Sequence, residues 1–394
     1  MRMNTKAQRG TNREEICSGF AIFSGPLISY LSPARRTNLL AVNRSYLHIV
    51  CMVTFLFSRM MAAVLILAAA SGIAAAVNPF VGDWELTLPD KAAGWLGVEE
   101  SAGGLRASMM MVAGSVEPVA GAKMEGDQLV LIREHFVEEK SAAGTKTRKR
   151  ILETIHARIS GDGLKLTSVK PHDKGEGEER FEFGGRRTPP MPPAPNLEKV
   201  KYGKPISLFN GHDLTGWRLT DPKADNGWIV EDGKLVNKAA HEEGKHKHYG
   251  NLRTDKEFED FNLKLEVRVL TNGNSGIYLR GIYEVQVEES YGKPPTTHNM
   301  GAIYSRIQPK ENASKPAGEW QKFDITLVDR HVTVVLNGVK VLSNEPVRGC
   351  TGGALWSDVS RPGPIYLQGD HTSIEYRNIV LQPVLKRGRR ADLR

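Results

Sequence analysis

The stretch Asn274 to Glu289, NSGIYLRGIYEVQVEE, holds two short alternating runs joined across Arg280, Gly281 and Ile282. Successive side chains of a strand face opposite sides, so Ile277 and Leu279 point one way while Tyr278 and Arg280 point the other. On the second run Val285 and Val287 take the core side. Glu284, Gln286 and Glu288 then share the other face, where an arginine, two carboxylates and an amide can line a polar surface over a packed sheet. Such a surface suits a sugar, and it also fits an ordinary solvated sheet face.

The rest of the second half repeats this period of two. Phe261, Leu263, Leu265, Val267 and Val269 alternate with Asn262, Lys264, Glu266 and Arg268, which is a half-buried strand. Val332 to Leu336 turns through Asn337-Gly338 into Val339 to Leu342, a strong hairpin signal. Trp228 to Val236, Phe323 to Val328, Ile365 to Gln368 and Ile374 to Leu381 supply further strands, and no long helical period interrupts them. The expectation is an all-β chain with a β-sandwich over 204–385.

Residues 77–187 also read as strands and turns. Trp84 to Leu88, Leu105 to Val112, Gln128 to Ile132, Ile151 to Ile159, Leu164 to Ser168 and Arg180 to Phe183 are short β-prone runs. Glu125-Gly126-Asp127 and Ser160-Gly161-Asp162-Gly163 mark hairpins. The reading is a small antiparallel β-barrel or half-barrel. A proline-rich linker, 188–203, follows it. Thr188 to Pro195 carries five prolines, whose fixed φ and missing donors favour an extended, stiff spacer.

The formal net charge of +8 suggests acidic partners until it is placed. Residues 1–76 hold eight basic and two acidic side chains, a balance of +6, which leaves +2 for the remainder. Nucleic acid is therefore not implied. The run Lys146 to Arg150 lies beside a strand and reads as a solvated hairpin face. Arg59, the apolar run Met60 to Ala70 and the small residues Ala74-Ala75-Ala76 match a signal peptide over 59–76. That segment makes 1–58 an untranslated or unstructured extension. It also implies export to the periplasm or beyond, with no stable membrane insertion after cleavage. Residues 386–394 form a basic tail. Past the cleavage site only Cys350 remains, so no internal disulfide forms, and the thiol reads as inert in the absence of a neighbouring histidine.

Between Ile206 and Val384 the chain resembles the 3-keto-disaccharide hydrolase domain family, whose members have a concanavalin A-like, jelly-roll sandwich, which implies a jelly-roll β-sandwich over 204–385. The likeness rests on ordered blocks that include SLFNGHDLTGW, EDGKLV, GNLRT, EFEDFNLKLEVRV, NSGIYLRG, YEVQV, GAIY, AGEWQKFDI, LNGVKV and IYLQGDHTSIEYRNI. The resemblance implies a substrate already oxidised to a ketone at C3, which acidifies the C2 proton. A base removes that proton, the C1 substituent is eliminated, and water adds, giving net hydrolysis. Such chemistry needs a base, a donor for the developing enediolate and an acid for the leaving oxygen. Glu284 is the candidate base, Arg280 the enediolate donor and His371 the acid or proton shuttle. Asn274, Gln286 and Gln368 are candidates to orient hydroxyls, with Tyr278, Glu288 and Trp356 as further substrate contacts.

Two other readings stay open. One is a non-catalytic carbohydrate-binding sandwich, in which Tyr278, Tyr283, Trp320 or Trp356 stacks on sugar rings. The other is direct glycoside hydrolysis by Glu284 and Glu288, although Gln286 replaces the middle acid of the E-x-D-x-E pattern of sandwich-fold glucanases. No cofactor is certain. His241, His246 and His248 read first as a charged surface loop; if a divalent metal ion is used, they and the polar residues around Glu284 and His371 are the candidate ligands. No Gly-rich dinucleotide motif follows a strand, so the ketone would be made by a separate sugar 3-dehydrogenase acting upstream.

Overall fold

The computed structural model describes residues 78–140, 146–174, 176–239, 249–369 and 371–385. The signal segment, the extension before it, His241, His246, His248 and the basic tail lie outside the described residues. The described residues are β-strands and turns with two short 3-10 segments, and none of their helices is long and apolar enough to cross a membrane.

The first sheet has nine antiparallel strands. They are β1 (Gly82–Thr87), β2 (Ala93–Ser101), β3 (Gly104–Met111), β4 (Glu117–Pro118), β5 (Gly121–Glu125), β6 (Gln128–Lys140), β7 (Lys146–Ser160), β8 (Gly163–Pro171) and β9 (Glu178–Arg187). Each strand pairs with its neighbours in sequence except β4 with β5, and β1 also pairs with β9, which brings the two ends of the meander together. The edges of the sheet are β4 and β5, which are consecutive in the chain. The run from Glu117 to Glu125 pairs first with β3 and then with β6. Val119 N–H donates to Ala107 O at 3.0 Å and Ala120 N–H to Ile132 O at 2.7 Å. One length of chain thus spans the seam of a nearly closed barrel. Trp84, Leu86, Leu96, Met109, Leu131, Ile155 and Phe183 fill its interior.

Strand β2 was not expected from the sequence, because Gly94 and Gly97 make it read as a turn. A side chain on Gly97 would meet the Trp95 ring at 2.3 Å, so that glycine serves packing and not a bend. The basic run at the start of β7 pairs across the hairpin with β6. Lys146 lies 3.2 Å from Glu138 and Lys149 3.6 Å from Glu139, and Arg150 meets Glu134. These are exposed cross-strand pairs of small energetic worth.

The second half contains two antiparallel sheets. Its strands are β10 (Ile206–Ser207), β11 (Trp217–Leu219), β12 (Trp228–Glu231), β13 (Lys234–Asn237), β14 (Leu252–Thr254), β15 (Phe261–Val269), β16 (Asn274–Leu279), β17 (Tyr283–Glu288), β18 (Trp320–Val328), β19 (His331–Leu336), β20 (Val339–Pro346), β21 (Tyr366–Leu367) and β22 (Ile374–Pro383). The larger sheet runs β12-β13-β22-β15-β18-β19-β20 with β10 beside β22, and the smaller runs β11-β14-β21-β16-β17. Leu263, Leu265, Val267 and Ile325 of the larger sheet share one buried cluster with Leu252, Ile277, Val285, Val287 and Leu367 of the smaller. This is the sandwich the alternation implies. Asn337 and Gly338 both have positive φ, 52° and 88°, as a tight hairpin turn requires.

The barrel packs directly on the sandwich. Ala93, Trp95 and Met110 belong to the sandwich's buried cluster, and the Arg306 guanidinium lies 4.4 Å from the Trp95 ring centre. Arg348 reaches back to Asp83 at 2.8 Å and Glu99 at 2.6 Å. The proline segment is tied to the sandwich as well: Arg330 donates to Pro189 O at 2.8 Å and Asn344 to Pro195 O at 3.0 Å.

Candidate functional site

The hairpin β16–β17 sets the register of the site. Tyr278 faces Glu284, Gly276 faces Gln286 and Asn274 faces Glu288, while Ile277 and Val285 face each other toward the core. Arg280 and Gly281 turn the chain with φ of 56° and 69°. The outer edge of β17 is covered by the segment after it. Gln286 N–H donates to Ala302 O at 3.0 Å, Gly301 N–H to Gln286 O at 2.9 Å and Tyr304 N–H to Glu284 O at 3.0 Å. No bare strand edge is left beside the carboxylate.

Above this face lies a cavity of about 210 Å³. It is lined by Asn251, Asn274, Tyr278, Glu284, Gln286, Tyr304, Gly352, Gly353, Tyr366, Gln368 and His371, with Ala113 of the barrel. Tyr278 and Tyr366 stack at one end, with ring centres 3.8 Å apart. Amides occupy the middle, where Gln286 Nε2–H donates to Asn274 Oδ1 at 3.1 Å. At the far end Asn274 is held through its backbone by Thr372, at 2.8 and 3.0 Å, beside His371. Two larger clefts exist, about 610 Å³ between barrel and sandwich and about 840 Å³ on the barrel surface. Neither is lined by Glu284.

Glu284 is 3% exposed. Burial disfavours its charged form and raises its pKa to about 8, while a hydrogen bond with Tyr278 pulls the other way. Its backbone is fixed by Thr351, whose Oγ1 accepts from Glu284 N–H at 3.0 Å and donates to Ile282 O at 3.2 Å. Room for the carboxyl comes from Gly276 across the hairpin, because a Cβ there would lie 2.3 Å from Glu284 Oε1. Tyr278 Oη is 2.9 Å from Glu284 Oε2 and 2.8 Å from Gly352 O. Tyr366 O–H donates to Gly353 O at 2.7 Å.

Two amide oxygens, Gln286 Oε1 and Gln368 Oε1, are buried with no hydrogen-bond partner among the described residues. Buried acceptors of this kind ask for donors, and the hydroxyls of a sugar supply them. The donor set holds one carboxylate, one histidine and several amides. Among the described residues no group of three His, Cys, Asp or Glu side chains is placed to hold a metal ion. The described lining residues therefore have the donor chemistry of a sugar site.

Of the residues expected at the site, Glu284, His371, Asn274, Tyr278, Gln286 and Gln368 are brought together. Arg280, Glu288 and Trp356 are not among the lining residues. The Arg280 fork donates to Val359 O at 2.6 Å and to Arg361 O at 2.7 Å, which corrects its expected role as the enediolate donor. The cause is the turn, which carries residue 280 past the end of the strand. Glu288 lies beyond the amides, where its Oε2 accepts from Asn299 at 3.3 Å. The Trp356 ring is covered by the Arg361 guanidinium at 3.7 Å. Sequence reasoning missed Asn251, Tyr304, Tyr366, Gly352, Gly353 and Ala113. Tyr366 was within reach, since it shares strand parity with Gln368. Cys350 is buried, its thiol pushed up to about 12 by burial, in agreement with the inert reading.

Comparison with known proteins bears on the sandwich half. Residues 204–382 match the profile of the 3-keto-alpha-glucoside-1,2-lyase-like domain. A 3-keto-disaccharide hydrolase of Bacteroides thetaiotaomicron is 27% identical over 165 residues, covering 35% of this chain and 57% of that protein. The chain thus spans little more than half the length of that curated relative. A crystal structure from Parabacteroides distasonis, provisionally called a glycosyl hydrolase, is 31% identical over 49% of this chain and 92% of that one, with a TM-score of 0.38. A second structure from the same organism, with the same provisional description, is 22% identical over 46% and 94%, with a TM-score of 0.37. The sandwich half of the chain, residues 204–382, is thus similar to the 3-keto-alpha-glucoside-1,2-lyase-like domain family.

Proposed function

We propose that this protein cleaves the glycosidic bond of 3-keto-glycosides by elimination and hydration, with Glu284 as the group that moves the proton. One observation carries the reading: the cavity of a family domain holds a buried carboxyl whose pKa is raised to about 8, poised close to the working pH. As carboxylate, Glu284 takes the proton from C2, and the electron pair spreads onto the C3 ketone as an enediolate. Collapse of that pair forms the C1–C2 double bond and expels the C1 oxygen, which takes up the proton that Glu284 removed from C2. Water then adds its oxygen at C1 and returns a proton to C2. Proton and electron balance is kept without any oxidant.

Other side chains serve binding and polarisation. Tyr278 and Tyr366 bring phenolic hydroxyls to the Glu284 end, and Gln286, Gln368, Asn274 and Asn251 offer amides along the ring. With Arg280 held on backbone carbonyls, stabilisation of the enediolate falls to these neutral donors. The carbohydrate-binding reading loses support, because Tyr283, Trp320 and Trp356 are absent from the lining and Tyr278 is 1% exposed. Export and an upstream sugar 3-dehydrogenase belong to the same proposal. The first supplies the substrate's compartment and the second the ketone.

The test is turnover of 3-keto-trehalose and 3-keto-lactose beside the unoxidised sugars, with and without a chelator. Cleavage confined to the keto-sugars is the expected result. Equal cleavage of the unoxidised sugars, or binding without cleavage, would overturn it.

A further inference from the structure

The cavity has one wall that the sandwich does not supply. After β3 the barrel chain turns through Val112, Ala113 and Gly114, and Ala113 lines the cavity with Tyr278 and Glu284. The turn is fastened at both ends. Gly353 N–H donates to Val112 O at 3.3 Å, and Val116 N–H donates to Ser305 Oγ at 2.7 Å. Between them Ser115 Oγ lies 2.9 Å from His298 Nε2 and 3.4 Å from the hydroxyl of Tyr304, another lining residue. The fit is close. A Cβ on Gly352 would lie 2.5 Å from Gly114 O and 2.7 Å from Ala113 O.

The turn also holds a backbone conformation that a β-branched residue seldom takes. Val112 has φ of 55° and leaves its side chain 54% exposed. Its N–H is tied to Ala93 O at 3.2 Å, and Gly114 N–H is tied to Met111 O at 3.1 Å. Strain kept in place by surrounding bonds is a mark of a position that matters for more than folding.

We propose that the Val112–Val116 turn is the specificity wall of the site, through which the barrel selects the leaving group of the substrate. The proposal rests on the cleavage reading above. C1 and C2 are bonded neighbours, so whichever proton Glu284 handles, the C1 substituent lies at the Glu284 end of the cavity. Ala113 and the Gly352-Gly353 strip bound that end. The small Ala113 side chain leaves room for a second ring, and Ser115 acts as a positioning residue by orienting Tyr304.

The experiment compares a 3-keto methyl glucoside with a 3-keto disaccharide as substrates of the wild type, Ala113→Trp and Gly352→Ala. The first variant fills the wall and the second pushes it outward. The readout is the ratio of kcat/KM between the two substrates, with thermal melting to show that each variant is folded. Ala113→Trp is expected to lower the ratio at the expense of the disaccharide by tenfold or more, and Gly352→Ala to change it by at least fivefold. Ratios within twofold of the wild type in both folded variants would overturn the wall while leaving the cleavage reading intact. Absence of turnover in the wild type would instead sink the cleavage reading. Calorimetric Kd values for the same two sugars would then read the wall, and absence of binding as well would overturn both.

Discussion

The hydroxyl of Tyr278 lies 2.9 Å from Glu284 Oε2 and 2.8 Å from the carbonyl of Gly352, so one phenolic proton faces two acceptors. Donation from Tyr278 to Glu284 favours the carboxylate and lowers its pKa. Burial outweighs that bond and raises the carboxyl pKa to about 8. The acid form must therefore release one proton before Glu284 can act as a base.

Activity should follow that release. For a base of pKa about 8, kcat/KM on a 3-keto substrate rises with pH and levels off above this value. Glu284→Gln keeps the shape and removes the base, so kcat should fall roughly a hundred- to ten-thousand-fold. Steady-state kinetics between pH 5 and 9 would check both, and a flat profile would contradict the assignment.

Stability should show the opposite trend. The folded pKa of Glu284 is raised above its ordinary value, so above about pH 4.5 the unfolded chain releases a proton that the folded chain keeps. Glu284 therefore lowers stability progressively from about pH 4.5 to about pH 8. Glu284→Gln should melt higher than the wild type at pH 8, by an amount on the order of a few kcal/mol, and should converge with it near pH 4. Paired thermal melts at the two pH values would measure the difference.

Tyr278→Phe tests the hydrogen bond itself. That bond lowers the pKa of Glu284, so its loss should move the rising limb of the pH profile to higher pH. The same change strips Gly352 O of its donor and should cost about 1 kcal/mol of stability. A pH profile with an unmoved inflection would show that the bond does not tune the carboxyl.

Gly276→Ala probes the space reserved for the carboxyl. The new methyl carbon would lie 2.3 Å from Glu284 Oε1, and one of the two must move. Displacement of about 1 Å in a reacting group costs on the order of a hundredfold in rate. The expected result is loss of kcat in a folded protein, checked by kinetics beside circular dichroism.

Arg280 should behave as a structural residue. It is 3% exposed and caps the carbonyls of Val359 and Arg361. Arg280→Ala leaves those buried acceptors bare and should cost about 2–4 kcal/mol. The corresponding fall in melting temperature should exceed any fall in kcat measured well below it.

Much of this was legible beforehand, for stated reasons. Alternation fixes which side chains share a face, so Glu284, Gln286 and Asn274 could be grouped, and Asn337-Gly338 located a hairpin. The run Trp228 to Val236 was read as one strand because its apolar residues masked Asp232-Gly233, which turns the chain with φ of 51° and 71°. Arg280 was misplaced because parity stops applying where the strand stops. Ala113 could not be foreseen at all. Its place depends on how one domain seats on the other, and no local pattern carries that.

The length of chain that crosses the barrel seam begins where the Val112–Val116 turn ends. The proposed base Glu284 and the turn are thus more than a hundred and fifty residues apart in the sequence and meet only in the folded molecule. If the turn is the wall we propose, a change in its length or bulk redraws the range of acceptable leaving groups without rewriting the proton chemistry. The chain therefore has an adjustable part and a fixed part, and substrate preference can drift while the reaction stays the same.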